Sequence, residues 1–293
     1  MDQINLFVEY LKFEKRYSGH TLLAYRNDLE QWLSFITRIY GPTELMDIQA
    51  TFIRSWLVSL MEEGLNSRSI NRKITALKSF YKFAIKSGWT EMNPMGKISS
   101  PKVSKRLPVY VESEKMNHLL DSDYFPDSYE GKRNHLIVEM FFGTGMRLSE
   151  LINLEIRDVD IKNGQLKVTG KRNKQRIIPL FEGLQQKIRD FILLRQQIPS
   201  ENQFLFVLEN GSKLYQGLVY RMVKKYLSVI STHEKRSPHV LRHSFATEML
   251  NQGADLNAIK EILGHANLSA TQVYTHNTIE KLKETYKKAH PRA

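Results

Sequence analysis

Apolar residues recur every three or four positions through the first 96 residues, which is the spacing of one buried face of an α-helix. The pattern predicts helices over about 21–39, 48–61 and 67–86. An earlier helical segment is expected to end at Ser18-Gly19-His20. Gly41-Pro42 and Gly64 break the pattern, and Ser67 suits the N-cap of the last helix. We therefore expect a helical first domain over residues 1–96.

The stretch 97–108 has no apolar period and is rich in proline, lysine and serine, so it predicts an exposed linker. Beyond it, short runs at 159–161, 166–169 and 176–179, with Asn163-Gly164 between the first two, predict a small antiparallel sheet. Helices are predicted near 112–120, 132–142, 183–197, 215–230, 239–252, 255–263, 270–274 and 278–288. The expected fold class is mainly α with a small antiparallel β-sheet, its second domain covering 109–293 with a tail at 275–293.

The charge of the chain is basic and evenly distributed. The 293 residues include 43 Lys and Arg against 31 Asp and Glu, a formal net charge of +12. Residues 1–107 hold 16 basic and 10 acidic side chains and residues 108–293 hold 27 and 21, a net +6 each. This distribution favours a polyanion touched by both domains over a free basic tail, although many proteins simply have basic surfaces.

Several protein classes are excluded by composition. The chain has no cysteine, so a disulfide scaffold, a thiolate nucleophile and a Cys-ligated metal centre are ruled out. No apolar run reaches the roughly 18 residues that a membrane span needs. The N-terminal residues lack the basic start and apolar stretch of a signal peptide. We expect a soluble, cytoplasmic protein without a membrane partner.

Three lysines follow one stripe of the helix predicted over 67–86. Lys78, Lys82 and Lys86 are spaced four residues apart, away from the apolar positions. Such a stripe is usually a solvated helix face. Contact with DNA phosphates is the alternative that the net charge favours.

Arg147 ends the turn Gly143-Thr144-Gly145-Met146-Arg147, directly before a short predicted helix. A positive charge opposes the helix dipole at this end, so a purely structural turn would favour Asp or Glu. Arginine beside free N–H groups is suited to binding an anion. A salt bridge from Arg147 to Glu150 is the simpler alternative.

His239 and Arg242 share one face of a helix that starts at Ser237-Pro238. His239 and His243 also have the spacing of a metal-binding pair, but the glutamate of an HExxH motif and an obvious third ligand are missing. We therefore expect neither a metal nor another cofactor. An ordinary surface helix is the alternative to a functional pair.

Further candidates lie in a hairpin and near the C-terminus. Lys171 and Arg172 fall at the predicted hairpin tip, where charge usually serves solubility and phosphate contact comes second. Gly264 ends a helix and turns the chain at His265. Tyr274 follows on a short predicted helix, and a lone tyrosine there is most often packed against a core.

The ordered combination of these residues resembles the tyrosine recombinase (phage integrase) family, and within it the bacterial Xer recombinases. The six residues that carry the likeness are Arg147, Lys171, His239, Arg242, His265 and Tyr274. The matching motifs are TGMRLSEL, GKRNKQRIIPL, HVLRHSFATEML and LGHANLSATQVYTH, with TLLAYRNDL and SINRKITALKSFYKFA in the first domain. Arg172 departs from the glycine common in relatives, and the loop 121–131 is longer than in many Xer proteins.

The resemblance implies a DNA strand-transferase that needs neither metal nor ATP. Tyr274 would attack the scissile phosphodiester and form a 3′-phosphotyrosyl intermediate. Arg147 and Arg242 would bind the oxygens of the phosphorane, with Glu150 orienting Arg147.

The remaining three residues would move protons and stabilise charge. His265 would add a hydrogen bond to the phosphoryl group, and His239 would help to move the tyrosine proton. Lys171 would protonate the leaving 5′-oxygen.

The resemblance also implies an assembly on DNA. A helical core-binding (SAM-like) domain and a catalytic domain would close around duplex DNA as a clamp, with helices 21–39 and 67–86 entering the major groove and 97–108 crossing the duplex. Four protomers on two sites, as a homo- or hetero-tetramer, would exchange strands through a Holliday junction. Leu282 and Tyr286 of the tail would dock on a neighbour or, alternatively, pack on their own domain.

The same residues fit more than one biological role. Resolution of chromosome dimers by an Xer protein, with a second Xer recombinase and a DNA translocase as partners, is the first expectation. A mobile-element integrase or DNA invertase would share the same six residues. A non-catalytic DNA-architectural protein needs no such set, a type IB topoisomerase lacks this first-domain pattern, and a metal nuclease would show clustered carboxylates.

Overall fold

The computed structural model describes residues 2–103, 109–170, 173–264 and 276–292. The chain divides into two compact units, Met1–Arg106 and Leu107–Ala293. Among the described helices, none is long and apolar enough to cross a membrane.

The first unit is a helical bundle. Its helices are α1 (Asp2–Phe13), α2 (Gly19–Tyr40), α3 (Ala50–Glu62) and α4 (Ser67–Lys86). Aromatic side chains fill the core, and those that are almost fully buried are Phe7, Trp32, Trp56, Phe80 and Tyr81. Aromatic rings connect two of these helices: Trp32 of α2 packs edge-on against Phe80 and Tyr81 of α4, with ring centroids 6.1 and 6.0 Å apart.

The sequence prediction assigned the wrong role to Ser18 and to Ser67, each at the start of a helix of the first unit. Ser18 does not end a helix: α1 stops at Phe13, and Ser18 is the N-cap of α2, its hydroxyl accepting from the Thr21 N–H. Asn66, not Ser67, caps α4, because its Oδ1 accepts from the Ser69 N–H at 2.9 Å. Asn and Ser can both cap a helix, so the residue at which the first turn begins determines which of two neighbours is the cap.

The start of the predicted linker packs on the first unit. Ile98 is buried in the helical core, and Arg54 donates to the Lys97 carbonyl at 3.2 Å. Asn71 of α4 donates to the carbonyl of Pro101 at 3.0 Å. Residues 97–101 are therefore held on the first unit by Ile98 and these two hydrogen bonds, while Lys97, Ser99 and Ser100 are exposed.

The second unit combines helices with a small sheet. Its elements are α5 (Ser113–Leu120), α6 (Tyr129–Thr144), α7 (Leu148–Ile152), β1 (Val159–Asp160), β2 (Gln165–Thr169), β3 (Gln175–Pro179), α8 (Glu182–Gln196), α9 (Gln216–Ile230), α10 (Pro238–Asn251), α11 (Leu256–Leu263) and α12 (His276–Ala289). The three described strands pair antiparallel in the order β1-β2-β3, with Leu166 opposite Ile178. The predicted sheet is thus confirmed, whereas the helix predicted over 270–274 lies outside the described residues.

Helix α6 is the central element of this unit, and its end creates the turn that carries Arg147. The helix is buried along most of its length and packs against α8 and α10. It stops at Gly145, which has a left-handed conformation with φ +60°. A Cβ on Gly145 would lie 2.5 Å from Phe245 and 2.7 Å from Leu263, so only glycine fits this turn.

The C-terminal helix α12 packs on its own unit. Leu282 and Tyr286 are buried at 4% and 2% exposure, and the Tyr286 hydroxyl donates to the Gly143 carbonyl at 2.5 Å. Of the two alternatives for the tail, packing on its own domain is the one present in this single chain.

Candidate functional site

Arg147 is held at the start of α7 by the carboxylate of Glu150. The backbone N–H of Arg147 donates to Glu150 Oε2 at 2.8 Å, and its Nη1 donates to Oε1 at 2.9 Å. Glu150 is almost fully buried, whereas the Arg147 side chain remains 29% exposed. The predicted ion pair therefore exists, and it fixes one edge of the guanidinium while part of the group faces solvent.

Arg242 approaches the same place from α10. Its Nη1 donates to the Gly145 carbonyl at 2.6 Å and its Nη2 to the Leu263 carbonyl at 2.7 Å. Burial, with repulsion from Arg147 and Arg176, lowers the pKa of Arg242 to about 10. Arg242 therefore stays charged at neutral pH.

A third arginine, Arg176 of β3, completes a cluster that sequence reasoning did not identify. Its Nη1 and Nη2 donate to the two oxygens of Glu150 at 2.7 and 2.9 Å, and its Nε donates to the Ile262 carbonyl at 2.5 Å. Arg176 is only 5% exposed. A signal was present in the sequence, because Arg176 lies two residues before Ile178 and therefore on the same, inward face of the strand.

The electrostatics of the cluster centre on Glu150. Burial alone would raise the pKa of this carboxyl, but the hydrogen bond and charge of Arg176 and the hydrogen bonds from Arg147 hold it below its ordinary value. Glu150 is therefore ionised at neutral pH and anchors both arginines by charge-assisted hydrogen bonds.

The three arginines converge on the C-terminal end of α11. Successive carbonyls there accept from different side chains: Ile262 from Arg176, Leu263 from Arg242, and Gly264 from Arg147 at 3.0 Å. These carbonyls lie at the negative end of the helix dipole and need partners outside the helix. The end of α11 is thus fixed by the same guanidinium groups that form the site.

The structure brings together some predicted residues and does not describe others. Arg147 and Arg242 meet at the end of α11, while His239 lies exposed one turn before Arg242 in α10. His265 follows Gly264 directly in the sequence, but it lies outside the described residues. The same holds for the remaining candidates Lys171, Arg172 and Tyr274.

The predicted lysine stripe lies in the first unit. Lys78, Lys82 and Lys86 are all exposed on α4. Lys86 lies 3.9 Å from a Glu14 carboxylate oxygen and over the ring of Tyr10. Within the described ranges, no group of three His, Asp or Glu side chains is placed so that it could hold a metal ion.

Comparison with protein-family models identifies both units. Residues 110–281 match the phage integrase family, and residues 4–88 match the phage integrase N-terminal SAM-like domain. These matches confirm the fold class predicted from the sequence.

Individual relatives agree over nearly the whole chain. Tyrosine recombinase XerC of Chlorobaculum parvum is 39% identical over 98% of this chain and 94% of its own length. That of Oceanobacillus iheyensis is 37% identical over 99% and 96%. Both similarities are high enough to establish family membership.

Solved structures show the same architecture. The pre-cleavage complex of the XerH site-specific recombinase with its difH substrate has a TM-score of 0.72 at 26% identity, covering 96% of this chain and 83% of that one. A lambda integrase dimer bound to a core site has a TM-score of 0.72 at 17% identity, covering 93% and 98%, a likeness of fold alone. The chain therefore belongs to the phage integrase family of tyrosine recombinases.

Proposed function

We propose that this chain is a site-specific recombinase that cuts and rejoins duplex DNA through a 3′-phosphotyrosyl intermediate at Tyr274. The observation that carries the proposal is the convergence of Arg147 and Arg242 on the end of α11, directly before His265 in the chain. A pair of fixed guanidinium groups is suited to the equatorial oxygens of a phosphorane.

The reaction conserves the energy of the phosphodiester bond, because one phosphate ester is exchanged for another. The Tyr274 hydroxyl attacks the phosphorus and loses its proton with the help of His239, while Lys171 protonates the departing 5′-oxygen. The products are a 3′-phosphotyrosyl enzyme and a free 5′-hydroxyl. Attack by a 5′-hydroxyl from the partner strand reverses these steps, so no ATP or metal is required.

The arginines supply electrostatic stabilisation rather than covalent chemistry. Two of the five N–H donors of Arg147 are bound by Glu150 and Gly264, which fixes the direction of the group while part of it stays accessible. A tyrosine with an ordinary pKa near 10 is a weak nucleophile at neutral pH, so charge stabilisation at the phosphoryl oxygens is essential. His265 adds a hydrogen bond to the same group.

Duplex DNA is the substrate, and both units contact it. Lys78, Lys82 and Lys86 bind phosphates from the first unit, with α2 and α4 reading the major groove, and Arg172 does so from the hairpin. The even charge distribution supports this assignment.

The role that we propose is resolution of chromosome dimers in the cytoplasm by a tetramer on two sites, through a Holliday junction. The similarity to XerC proteins over nearly the full chain supports an Xer role over that of a mobile-element integrase. A second Xer recombinase and a DNA translocase are the partners expected for that role.

The proposal is tested with a nicked suicide substrate. Cleavage releases a short fragment that carries the 5′-hydroxyl, so the cut strand cannot be rejoined. Wild-type protein should form a covalent protein–DNA adduct in EDTA and without nucleotide. Tyr274→Phe should bind the same DNA but form no adduct, and Arg242→Ala should slow adduct formation by about 100-fold or more, or roughly 3 kcal/mol. An undiminished adduct from Tyr274→Phe would refute the assignment, and a wild-type protein that binds without reacting would indicate an architectural protein.

A further inference from the structure

Arg176 is buried, and all three nitrogens of its guanidinium donate hydrogen bonds within the site. Nη1 and Nη2 bind both oxygens of Glu150, and Nε binds the carbonyl of Ile262. These bonds connect β3 to the start of α7 and to the end of α11. A side chain that is 5% exposed and bonded in this way is not available for DNA contact.

Arg176 and Arg147 share one carboxylate. Glu150 Oε1 accepts from the Nη1 atoms of both arginines, and Oε2 accepts from Arg176 Nη2 and the Arg147 backbone N–H. With four donors around it, the carboxylate has one orientation, and Arg147 is fixed through it. Among the described groups that bond to the Glu150 carboxylate, Arg176 and Arg147 are the charged ones. Without Arg176, the buried carboxylate would keep only Arg147 of these two, and the pair would rearrange.

The second connection is to the turn that follows α11. Gly264 has φ +67°, and a Cβ placed on it would lie 3.0 Å from Arg176 Cδ. The backbone of Gly264 therefore packs closely against the Arg176 side chain, and the Nε–H of Arg176 donates to the carbonyl of Ile262, two residues earlier. His265 is the next residue in the chain.

We propose that Arg176 is a positioning residue of the recombinase reaction, which sets both Arg147 and the turn leading into His265 without touching DNA. The inference rests on the proposed function. It assigns a task to a basic residue on a strand, outside the six residues that the sequence pattern identifies.

The test compares the rate of adduct formation with the affinity for DNA. Arg176→Met keeps the unbranched stem as far as the position of Nε but removes the rest of the guanidinium and every donor. We expect its single-turnover cleavage rate at saturating suicide substrate to fall about 100-fold, the loss typical of catalytic groups misplaced by about 1 Å. Its Kd for the same duplex, measured by fluorescence anisotropy, should stay within about threefold of wild type, because Arg176 is buried.

Arg195 is a matched control. It is also a buried arginine of the second unit, at 4% exposure, and it donates to the carbonyls of Phe204, Ile198 and Asn202. Arg195→Met should lose stability but retain a cleavage rate within about threefold of wild type, at a temperature where circular dichroism shows all proteins folded.

A double-mutant cycle tests whether Arg176 acts through Glu150. If it does, Arg176→Met combined with Glu150→Gln should be no more than about threefold slower than the slower single variant, because both remove the same connection. If the double variant instead loses cleavage rate by the product of the two single losses, Arg176 does not act through Glu150.

The outcomes separate the two proposals. A wild-type protein that forms no adduct overturns the proposed function itself. If wild type is active and Arg176→Met cleaves within about threefold of its rate, the positioning role is overturned. An equal loss of cleavage rate in Arg195→Met also overturns it. If Arg176→Met does not fold, Arg176→Lys decides by the same comparison: a loss of about tenfold or more at unchanged Kd supports the role, and a smaller loss overturns it.

Discussion

Arg147 donates from Nη2 to the carbonyl oxygen of Gly264 at 3.0 Å, although the two residues are 117 positions apart in the chain. This contact ties the turn after α6 to the turn after α11. It means that the position of the Arg147 guanidinium and the turn at Gly264 are set together. A change at either turn should therefore affect the chemistry as well as the stability.

Gly264→Ala should reduce both stability and activity. The φ of +67° strains any residue with a Cβ by about 1–2 kcal/mol, and that Cβ would press on Arg176. We expect the free energy of unfolding to fall and the single-turnover cleavage rate to drop about tenfold or more.

Gly253→Ala is the matched control for that variant. Gly253 has a similar φ of +82°, but a Cβ there meets nothing within 4 Å. Gly253→Ala should lose only the unfolding free energy that the strained backbone costs. Its single-turnover cleavage rate should stay within about threefold of wild type. Equal cleavage rates in the two variants would show that the contact with Arg176 has no catalytic consequence.

Glu150 should make the stability of the protein depend on pH below about 4.5. Its pKa in the folded protein lies below the ordinary value, so its contribution is present above the unfolded pKa and is lost as the pH falls through the folded one. Urea unfolding of wild type and Glu150→Gln should therefore differ most near neutral pH and converge in acid.

Glu261 provides a control of opposite sign. Burial raises its pKa, so ionised Glu261 destabilises the fold at neutral pH and Glu261→Gln should stabilise it. A constant difference between wild type and Glu150→Gln across the acid range would contradict the anchoring role of that carboxylate.

Tyr286→Phe tests how the C-terminal helix is held. The variant removes the hydrogen bond to the Gly143 carbonyl in a buried place, which should cost about 1–3 kcal/mol of unfolding free energy. Tyr220→Phe, at an exposed tyrosine of α9, should change it by less than about 0.5 kcal/mol.

The dependence on concentration distinguishes packing within one chain from docking on a neighbour. Because Leu282 and Tyr286 are buried in their own unit, the cost of Tyr286→Phe should be the same at low and high protein concentration, without DNA. A cost that appears only at high concentration would indicate that the helix is held by a second copy.

Neutralising Lys78 or Lys82 should weaken DNA binding without regard to sequence. Both lysines are exposed on α4, and each phosphate contact contributes about 0.9 to the slope of log K against log salt. Titrations of Lys78→Met and Lys82→Met on two unrelated duplexes should show equal losses and a shallower slope. Lys12→Met, at an exposed lysine of α1, is the control, and a loss confined to one duplex would instead indicate base contact.

Local patterns in the sequence were sufficient for the elements and for part of the site. Helical periodicity, the turn at Asn163-Gly164 and the Arg147–Glu150 pair all depend on neighbours in the chain, and each is present in the structure. The choice of Asn66 over Ser67 as a cap was not predictable, because both residues can perform the task. The helical domain also continues into 97–101, where Ile98 offers too short an apolar signal to mark it.

The network around Glu150 required the folded structure. The strand period places Arg176 on the inward face of β3, but its partners Glu150 and Ile262 are 26 and 86 positions away. The contact of Tyr286 with Gly143 spans 143 positions and leaves no local pattern. Such bonds depend on tertiary packing, so sequence periodicity does not register them.

The most direct measurement is identification of the DNA-linked residue by mass spectrometry. Wild-type protein trapped on the suicide substrate would be digested with nuclease and protease, and the modified peptide would be sequenced. The account predicts a single nucleotide attached through its 3′-phosphate to Tyr274. Linkage to any other residue, or through a 5′-phosphate, would contradict it.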